Sequence, residues 1–108
     1  MITVLTPTYN RKENLKNLYK SLVNQTDYNF QWLIIDDGST DNTKDLVDSF
    51  DNCHFQINYY YKENGGKHTA LNFSHQYING DWTIIVDSDD VLIENAIALI
   101  YGYIKKVW

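Results

Sequence analysis

The sequence lacks a second cysteine, a long apolar run and a basic leader, and each absence excludes a class of protein. Cys53 is the single cysteine among 108 residues, so the chain cannot form an internal disulfide. No apolar run approaches the ~20 residues that a transmembrane helix needs. No basic segment of the kind that opens a secretory signal precedes the apolar start at residues 1–4. We therefore expect a cytoplasmic protein without a transmembrane segment. A location at the inner face of the membrane is compatible with this expectation.

Basic residues are the scarcer charged class, at 9 Lys and Arg against 14 Asp and Glu, and the net charge is -5. No basic stripe is present to follow a phosphate backbone, so we expect no nucleic-acid partner. The acidity suits a divalent cation, because concentrated carboxylates repel one another unless an ion neutralises them. With one proline and no low-complexity run, the composition is that of a single ordered domain spanning residues 1–108.

The sequence does contain a fourfold alternation of short β-branched or aromatic runs with longer amphipathic stretches. The runs predict strands at about residues 2–6, 30–36, 55–61 and 82–87. Such alternation is typical of βαβ units, whose right-handed crossovers give one open twisted sheet with helices on both faces. The predicted fold class is therefore α/β, with an open, mostly parallel, Rossmann-like sheet of four βα units.

A helix pattern follows each predicted strand. The first helix is the clearest, because Asn10 stands at an N-cap position and Glu13 follows three residues later, as in a capping box. A turn with a glycine C-cap is predicted at residues 79–81. The expected inward residues of the four helices are, in order, Leu15, Leu18, Tyr19 and Leu22; Leu46, Val47 and Phe50 after a start at Ser39 or Thr40; Ala70, Leu71, Ser74 and Ile78 within residues 67–78; and Ala96, Ile97, Ile100 and Ile104.

Polar residues collect directly after all four predicted strands, in segments 7–10, 36–41, 63–67 and 87–90. The opposite ends of the strands carry nothing comparable. Because ligands of open parallel sheets bind outside the carboxyl ends of the strands, we expect these four segments to meet along one edge and to form the functional site.

Asp87, Asp89 and Asp90 are the candidate metal ligands. Asp87 and Asp89 alternate by two, which in an extended backbone places both carboxylates on one side. Such oxygen ligands suit Mg²⁺ or Mn²⁺, and Mg²⁺ is usually held by one or two carboxylates plus substrate phosphates. Aspartates at strand ends are also ordinary helix N-caps, and that interpretation stays open for one cluster. Two acidic clusters on one edge favour a cation, since carboxylates ~4 Å apart repel by about 4 kcal/mol at an effective dielectric near 20.

Three further features suit a nucleotide. Asp37 ends an apolar strand, where a carboxylate can accept hydrogen bonds from a base or ribose, while Ser39, Thr40 and Asp41 cap the next helix. The segment Gly65-Gly66-Lys67 offers backbone N–H groups at a helix start and a cation, which together suit a phosphate. The ring of Tyr9 can stack on a base. Structural interpretations stay open beside these: helix capping for the aspartates, a plain loop with a solvated lysine, and packing for Tyr9.

Other nucleotide and metal motifs do not fit. Tyr61 stands where a P-loop needs its first glycine, no Gly-x-Gly-x-x-Gly follows the first strand, and Leu92 stands where a calcium loop needs glycine. Residues 85–92 also resemble the nucleophile motif of haloacid-dehalogenase-type phosphatases, in which Asp87 would attack phosphorus. That fold carries its motif on an early strand and draws further residues from downstream, whereas only 18 residues follow Asp90 here.

Taken in order, the segments at residues 7–10, 25–26, 34–41, 64–67 and 87–90 closely resemble family 2 inverting glycosyltransferases of the GT-A fold. The resemblance covers essentially the whole chain and corresponds to the N-terminal, nucleotide-sugar-binding portion of that family's domain. It implies metal-dependent transfer of a sugar, with inversion, from a nucleotide-diphosphate donor, usually UDP, to an acceptor in glycan or polysaccharide synthesis.

The resemblance also implies a role for individual residues. Asp89 is the first choice as ligand of Mn²⁺ or Mg²⁺, with Asp87 and Asp90 beside it. Contacts to the nucleotide are implied for Pro7, Thr8, Tyr9, Asp37, Gly66, Lys67, Asp87 and Ser88.

One departure from the family concerns catalysis. Family members supply the catalytic base and acceptor pocket from a later segment, and the base has no candidate in this chain. We therefore expect these 108 residues to bind the donor with little or no turnover, the acceptor of the family reaction being a glycan or a lipid-linked glycan. An exposed sheet edge would invite pairing with a second copy. A phosphatase of the haloacid-dehalogenase type and a non-catalytic nucleotide-binding module are the alternative functions.

Overall fold

The computed structural model describes residues 1–51, 54–78 and 81–107, without the side chain of Val107. A 3₁₀ turn at His75–Tyr77 extends the third helix. No helix in the described ranges has the length and apolarity needed to cross a bilayer. The strands and helices alternate as β1 (Ile2–Thr8), α1 (Lys12–Val23), β2 (Phe30–Asp37), α2 (Thr43–Asp48), β3 (Gln56–Lys62), α3 (Lys67–Ser74), β4 (Trp82–Ile85) and α4 (Ala96–Val107).

The four strands form one sheet in the order β3-β2-β1-β4, and every pairing is parallel. Ile2 of β1 pairs with Phe30 of β2 and with Trp82 of β4, so these three strands begin level. Since all four strands run the same way, their carboxyl ends open on one edge of the sheet. The predicted α/β fold with four βα units is confirmed.

Alternate residues of the central strands build two apolar cores, one on each face of the sheet. Val4, Trp32 and Ile34 belong to the core that α1, α2 and α4 cover. Leu33 and Ile35 belong to the smaller core under α3. Because helices lie on both faces, every residue of β1 and β2 is buried, the polar side chains included. Neither strand therefore shows the strict alternation of apolar and polar residues that is typical of a strand with one solvated face.

Strand β4 forms an edge of the sheet and is less covered than β1 and β2. Trp82 is 38% exposed and Ile85 is 54% exposed. Val91 and Ile93, which follow β4, are exposed as well. Self-association through an exposed sheet edge would use a surface of this kind, and it stays a prediction.

The start of α1 differs from the prediction. Arg11, not Asn10, occupies the N-cap position, and it makes no side-chain capping bond. Asn10 has a φ of 50°, in the left-handed region that asparagine tolerates better than most residues. The backbone N–H of Lys12 instead donates to Oδ2 of Asp41 at 3.1 Å. A residue 29 positions later therefore caps the helix, and a local capping pattern cannot show such a contact.

Two helices are shorter than predicted. Helix α2 ends at Asp48, before Phe50, and α3 ends at Ser74, before Ile78. Phe50 and Ile78 nevertheless pack against the two cores as partly buried side chains, so the predicted apolar contacts hold although the helical geometry does not. The predicted turn at residues 79 and 80 lies outside the described residues.

Candidate functional site

A cavity of about 330 Å³ opens at the carboxyl ends of the strands. The predicted nucleotide contacts all line it except Gly66, and Asp90 lies in the acidic cluster beside it. Arg11 also lines the cavity, although the sequence interpretation did not single it out. The wall consists of Pro7, Thr8, Tyr9, Arg11, Asp37, Lys67, Asp87, Ser88 and Asp89. The four polar segments therefore meet along one rim, as the pattern of strands predicted.

Thr8, the last residue of β1, lines this cavity and carries a buried hydroxyl without a hydrogen-bond partner. Its side chain is buried, and Oγ1 is the one buried side-chain polar atom of the described residues that makes no hydrogen bond. Burying a hydroxyl unpaired costs about 1–3 kcal/mol. In this structure Oγ1 is closed off from the cavity, so a ligand atom reaches it only after the side chain turns towards the cavity. Tyr9, which follows it, is exposed and leaves its ring accessible.

Asp87, Asp89 and Asp90 come together in a turn. Strand β4 ends at Ile85, and the N–H of Asp90 donates to the carbonyl of Asp87 at 3.0 Å. One carboxylate oxygen from each aspartate lies within 4.8 Å of the other two. The clustering was predicted correctly, but its explanation by alternation in extended backbone is wrong. Three carboxylates this close fit a hard divalent cation such as Mg²⁺ or Mn²⁺ in donor type and number.

Two cationic side chains lie against the acidic turn. Lys67, the first residue of α3, places Nζ 2.7 Å from Oδ1 of Asp87. Arg11 places Nη1 3.9 Å from Oδ2 of Asp89. All four side chains are about half exposed, so solvent screens both pairs. The rim therefore carries charges of both signs that remain accessible to a ligand.

Asp37 is engaged much more tightly than the sequence interpretation assumed. Its Oδ1 accepts from Nζ of Lys62 at 2.6 Å and from the N–H of Gly65 at 3.0 Å. Its Oδ2 accepts from the N–H of Gly66 at 2.9 Å and from Nδ2 of Asn64 at 3.4 Å. Burial acts to raise the pKa of Asp37, but the hydrogen bonds from Lys62 and the two glycines outweigh it and lower that pKa. The carboxylate is therefore held ionised in a buried place.

These bonds change the interpretation of the glycine segment. The N–H groups of Gly65 and Gly66, which were expected to face a phosphate, donate to Asp37 instead. Four donors occupy the roughly four acceptor positions of the carboxylate, so Asp37 is not the free acceptor that was predicted. The role of Gly66 as a nucleotide contact stays a prediction.

Lys62 is the second residue near the site that sequence reasoning missed. It ends β3 directly beside Asp37 at the end of β2, and its side chain is 14% exposed. A lysine and an aspartate at the ends of neighbouring parallel strands indicate an ion pair. That indication can be used only when the register of the two strands is known.

The loops after β1 and β2 are joined by reciprocal hydrogen bonds. The N–H of Asn10 donates to Oγ of Ser39 at 2.8 Å, and the N–H of Thr40 donates to Oδ1 of Asn10 at 2.8 Å. Asp36 accepts from the N–H of Ser39 at 2.9 Å and from the hydroxyl of Tyr59. Burial, followed by the bond to Asp36, raises the pKa of Tyr59. Asp36 therefore supports the loop, and it is absent from the lining of the cavity among the described residues.

The segment after the acidic turn is fastened to the end of α1 by Gln25. The side-chain amide of this buried residue donates to the carbonyl of Ile93 at 2.8 Å, and its Oε1 accepts from the N–H of Ile97 at 3.1 Å. The N–H of Thr26 also donates to the carbonyl of Glu94 at 2.8 Å. The Gln25-Thr26 pair of the sequence motif thus fixes the path of the chain between the acidic turn and α4.

Comparison with known proteins gives three informative matches. Glycosyltransferase GlyG of Streptococcus pneumoniae serotype 4 is 33% identical over 107 residues, which cover 98% of this chain and 36% of that protein. The structure of residues 1–349 of S. aureus TarS in complex with UDP-GlcNAc matches with a TM-score of 0.89 and 27% identity, over 97% of this chain and 31% of that chain. The mannosyltransferase PcManGT of Pyrobaculum calidifontis, in complex with GDP-Man and Mn²⁺, matches with a TM-score of 0.77 and 25% identity, over 83% of this chain and 28% of that chain.

The chain thus spans about a third of the length of these relatives. The four-stranded parallel sheet with alternating helices matches these structures, which share the GT-A fold. The sequence profile described as glycosyl transferase family 2 matches residues 3–107, and the chain belongs to that family.

Proposed function

We propose that the rim at the carboxyl ends of the strands binds a nucleotide-diphosphate sugar together with a divalent cation, as the donor half of a glycosyltransferase. The observation that carries this proposal is that the wall of one cavity contains Thr8, Asp37, Lys67 and two aspartates of the acidic turn. Membership of glycosyl transferase family 2 supports it. The resemblance to the UDP-GlcNAc complex of TarS favours a uracil nucleotide. PcManGT binds GDP-Man, so the experiment below compares UDP with GDP.

The proposed contacts divide the cavity wall by chemistry. The exposed ring of Tyr9 stacks on the base, and the unpaired hydroxyl of Thr8 bonds the nucleoside. The ammonium of Lys67 binds a phosphate as a point charge. Asp37 accepts a hydrogen bond from the nucleoside. This bond replaces the longest hydrogen bond of Asp37, which Asn64 donates at 3.4 Å. Pro7, Gly66, Asp87 and Ser88 complete the proposed nucleotide contacts.

Asp89, with Asp87 and Asp90, holds the cation in this proposal. The donor set supports it, because three carboxylates offer oxygens within 4.8 Å of one another and Mn²⁺ and Mg²⁺ prefer oxygen ligands. A bound cation would neutralise the charge that grows on a departing diphosphate. The chain's own residues orient the donor around it: the β1 loop on the nucleoside side and the start of α3 on the phosphate side.

Turnover with inversion also needs a base to activate the acceptor, which we propose is a glycan or a lipid-linked glycan. Among the described residues, the carboxylates that line the cavity are Asp37, Asp87 and Asp89. Asp37 is saturated with donors, and the other two are assigned to the cation. We therefore propose that these 108 residues bind the donor and transfer sugar slowly or not at all.

Calorimetric titration with UDP, with and without Mn²⁺, tests the binding proposal. UDP is expected to bind with Mn²⁺ and to lose most of its affinity without it, and Asp89→Ala is expected to remove the dependence on Mn²⁺. Asp81→Ala is the matched control, because Asp81 is an exposed aspartate that precedes β4 and so lies at the other end of this strand from the acidic turn.

Equal UDP affinity with and without Mn²⁺, or no UDP binding at all, contradicts the proposal. Titration with GDP in parallel separates the two bases. Release of phosphate from small phosphoesters, lost in Asp87→Asn, would support the phosphatase alternative instead. UDP binding without turnover by the natural full-length gene product would support the non-catalytic binding module.

A further inference from the structure

We propose that Lys67 and Arg11 are exchangeable counter-ions of the acidic turn: a divalent cation displaces them from Asp87 and Asp89, and they then bind the donor's diphosphate. Cation and nucleotide would consequently bind with positive coupling. This inference rests on the proposed function and adds how the two ligands communicate.

The first observation is that the cations of the rim are held by the same side chains that would hold the metal. Lys67 Nζ lies 2.7 Å from Asp87 Oδ1, and Arg11 Nη1 lies 3.9 Å from Asp89 Oδ2. A carboxylate oxygen cannot bind a divalent cation while an ammonium lies 2.7 Å away without bringing like charges together. Cation binding must therefore release Lys67, and it weakens the hold on Arg11.

The second observation is that both cationic side chains also line the cavity and are able to move. Each is 55% exposed, so an alternative position costs little desolvation. Their backbones are fixed: Gly66, directly before Lys67, donates its N–H to Asp37 at 2.9 Å. The carbonyl of Arg11 accepts from the N–H of Leu15 at 2.9 Å in the first turn of α1. Side-chain rotation alone can move the charge from an aspartate towards the cavity.

The charge balance shows why the exchange couples the ligands. Three carboxylates and two basic groups give the rim a formal charge of -1. A divalent cation changes it to +1 and leaves Lys67 and Arg11 without their partners. The diphosphate of the donor supplies negative charge to both. Each ligand therefore reduces the electrostatic cost of binding the other, so the two bind with positive coupling. By linkage, the cation raises the affinity for the nucleotide by the same factor as the nucleotide raises the affinity for the cation.

Thr8 indicates that a ligand belongs in this cavity independently of the charges. Its hydroxyl lies in the same wall, buried and without a hydrogen-bond partner. An unpaired buried hydroxyl is costly, and a turn of the Thr8 side chain towards the cavity would let a ligand atom pair it.

The proposal makes a prediction of opposite sign for two affinities of one variant. Lys67→Met removes a competitor of the metal, so the affinity for Mn²⁺ without nucleotide should rise about two- to fivefold, the range for an exposed ion pair. The same variant removes a phosphate partner, so the affinity for UDP at saturating Mn²⁺ should fall about tenfold or more. A residue with a purely structural role would not move the two affinities in opposite directions.

The experiment measures free Mn²⁺ by electron paramagnetic resonance with and without UDP, and UDP binding by calorimetry. It compares the wild type with Lys67→Met, Lys67→Arg and Arg11→Met. Lys44→Met is the matched control, because Lys44 forms an exposed pair with Asp48 on α2. Lys67→Arg keeps the charge and should retain the coupling, and Arg11→Met should show the same signs as Lys67→Met with smaller size. Circular dichroism checks that each variant is folded.

The outcomes separate this inference from the proposed function. If the wild type binds UDP with Mn²⁺ but Lys67→Met binds Mn²⁺ equally well or more weakly, the exchange is overturned and the donor site stands. If UDP does not alter the affinity of the wild type for Mn²⁺, then by linkage Mn²⁺ does not alter the affinity for UDP, and the coupling and the metal-dependent donor site fail together. If the wild type binds neither ligand, both proposals fail.

Discussion

The ammonium of Lys62 lies 2.6 Å from Oδ1 of Asp37, in a pair that joins the ends of β3 and β2 and is largely shielded from solvent. The same ammonium donates to Oγ1 of Thr69 at 3.0 Å and to the carbonyl of Glu63. All three of its N–H bonds are therefore used inside the protein. Lys62 ties β2, the loop at residues 63–66 and α3 together, and through α3 it fixes the backbone of Lys67.

Replacing Lys62 with Met should destabilise the fold strongly. Asp37 would keep its charge in a buried place without a cationic partner, with only the hydrogen bonds from Gly65, Gly66 and Asn64, and breaking a buried ion pair in this way costs about 3–5 kcal/mol of unfolding free energy. Urea denaturation at pH 7 measures the change. Lys44→Met is the control, since its exposed pair with Asp48 should be worth about 1 kcal/mol or less. A loss in Lys62→Met as small as in the control would show that water compensates Asp37.

The contribution of Asp37 to stability should depend on pH. Its pKa in the folded state is lowered from 3.8, since the hydrogen bonds from Lys62, Gly65 and Gly66 outweigh the effect of burial. A carboxyl group with a lowered folded pKa stabilises the protein above its unfolded pKa, and that contribution is lost as pH falls through the folded value. Asp37→Asn should therefore cost most at neutral pH, with a difference from wild type that shrinks below about pH 4.

Urea denaturation of both proteins at several values between pH 3 and pH 7 measures this difference. A gap between wild type and Asp37→Asn that stays constant over the whole range would show that the carboxylate charge plays no part.

Thr8 and Thr6, both buried on β1, should respond differently to replacement by valine. Oγ1 of Thr6 accepts from Nε1 of Trp32 at 2.9 Å, so Thr6→Val leaves a buried N–H unpaired and should cost about 1–3 kcal/mol. Oγ1 of Thr8 has no partner, so Thr8→Val should leave the stability unchanged or slightly higher. It should weaken UDP binding about fivefold, by loss of one hydrogen bond. Unchanged UDP affinity in a folded Thr8→Val protein would remove Thr8 from the nucleotide site.

Two glycines should respond in opposite directions to replacement by alanine. Gly38 has a φ of 84°, and a Cβ there would lie 2.7 Å from the backbone nitrogen of Asn64. Gly38→Ala should therefore cost about 1–3 kcal/mol, through strain and displacement of the loop that binds Asp37. Gly102 lies within α4, and its Cβ would meet no atom within 4 Å, so Gly102→Ala should stabilise by about 1 kcal/mol. Thermal unfolding measures both, and a neutral Gly38→Ala would contradict the close approach.

The sheet and the place of the site could be predicted from the sequence because both follow from repetition. Strands such as β1 and β2 are buried on both faces, so they read as short runs rich in β-branched, aromatic and other apolar residues whatever their neighbours are. Once the strands are parallel, their carboxyl ends share an edge, and Thr8, Lys67 and Asp87 must approach one another. The cytoplasmic location and the pairing of an exposed sheet edge with a second copy depend on molecules outside this chain. Both stay predictions.

The internal partners of the site could not be predicted, because each depends on register between distant segments. Asp37 meets Lys62 only because these residues pair across β2 and β3. Arg11 reaches Asp89 only because α1 begins beside the acidic turn. Asp41 caps α1 from 29 residues away, so the local signal at Asn10 indicated the wrong cap. Sequence patterns give the elements and their ends, whereas packing decides which polar groups are already paired.

The position of Gln25 means that the geometry of the acidic turn, which carries the proposed metal ligands, depends on a helix that contributes no residue to that turn. Between Asp90 and Ala96 the chain has no helix or strand of its own, and the amide of Gln25 supplies bonds that it would otherwise obtain from regular structure. Inserting or deleting one residue in α1 would rotate this amide by about 100° around the helix axis. Its bonds to Ile93 and Ile97 would then be lost together, and we expect the aspartates to change their spacing although none of them had been altered.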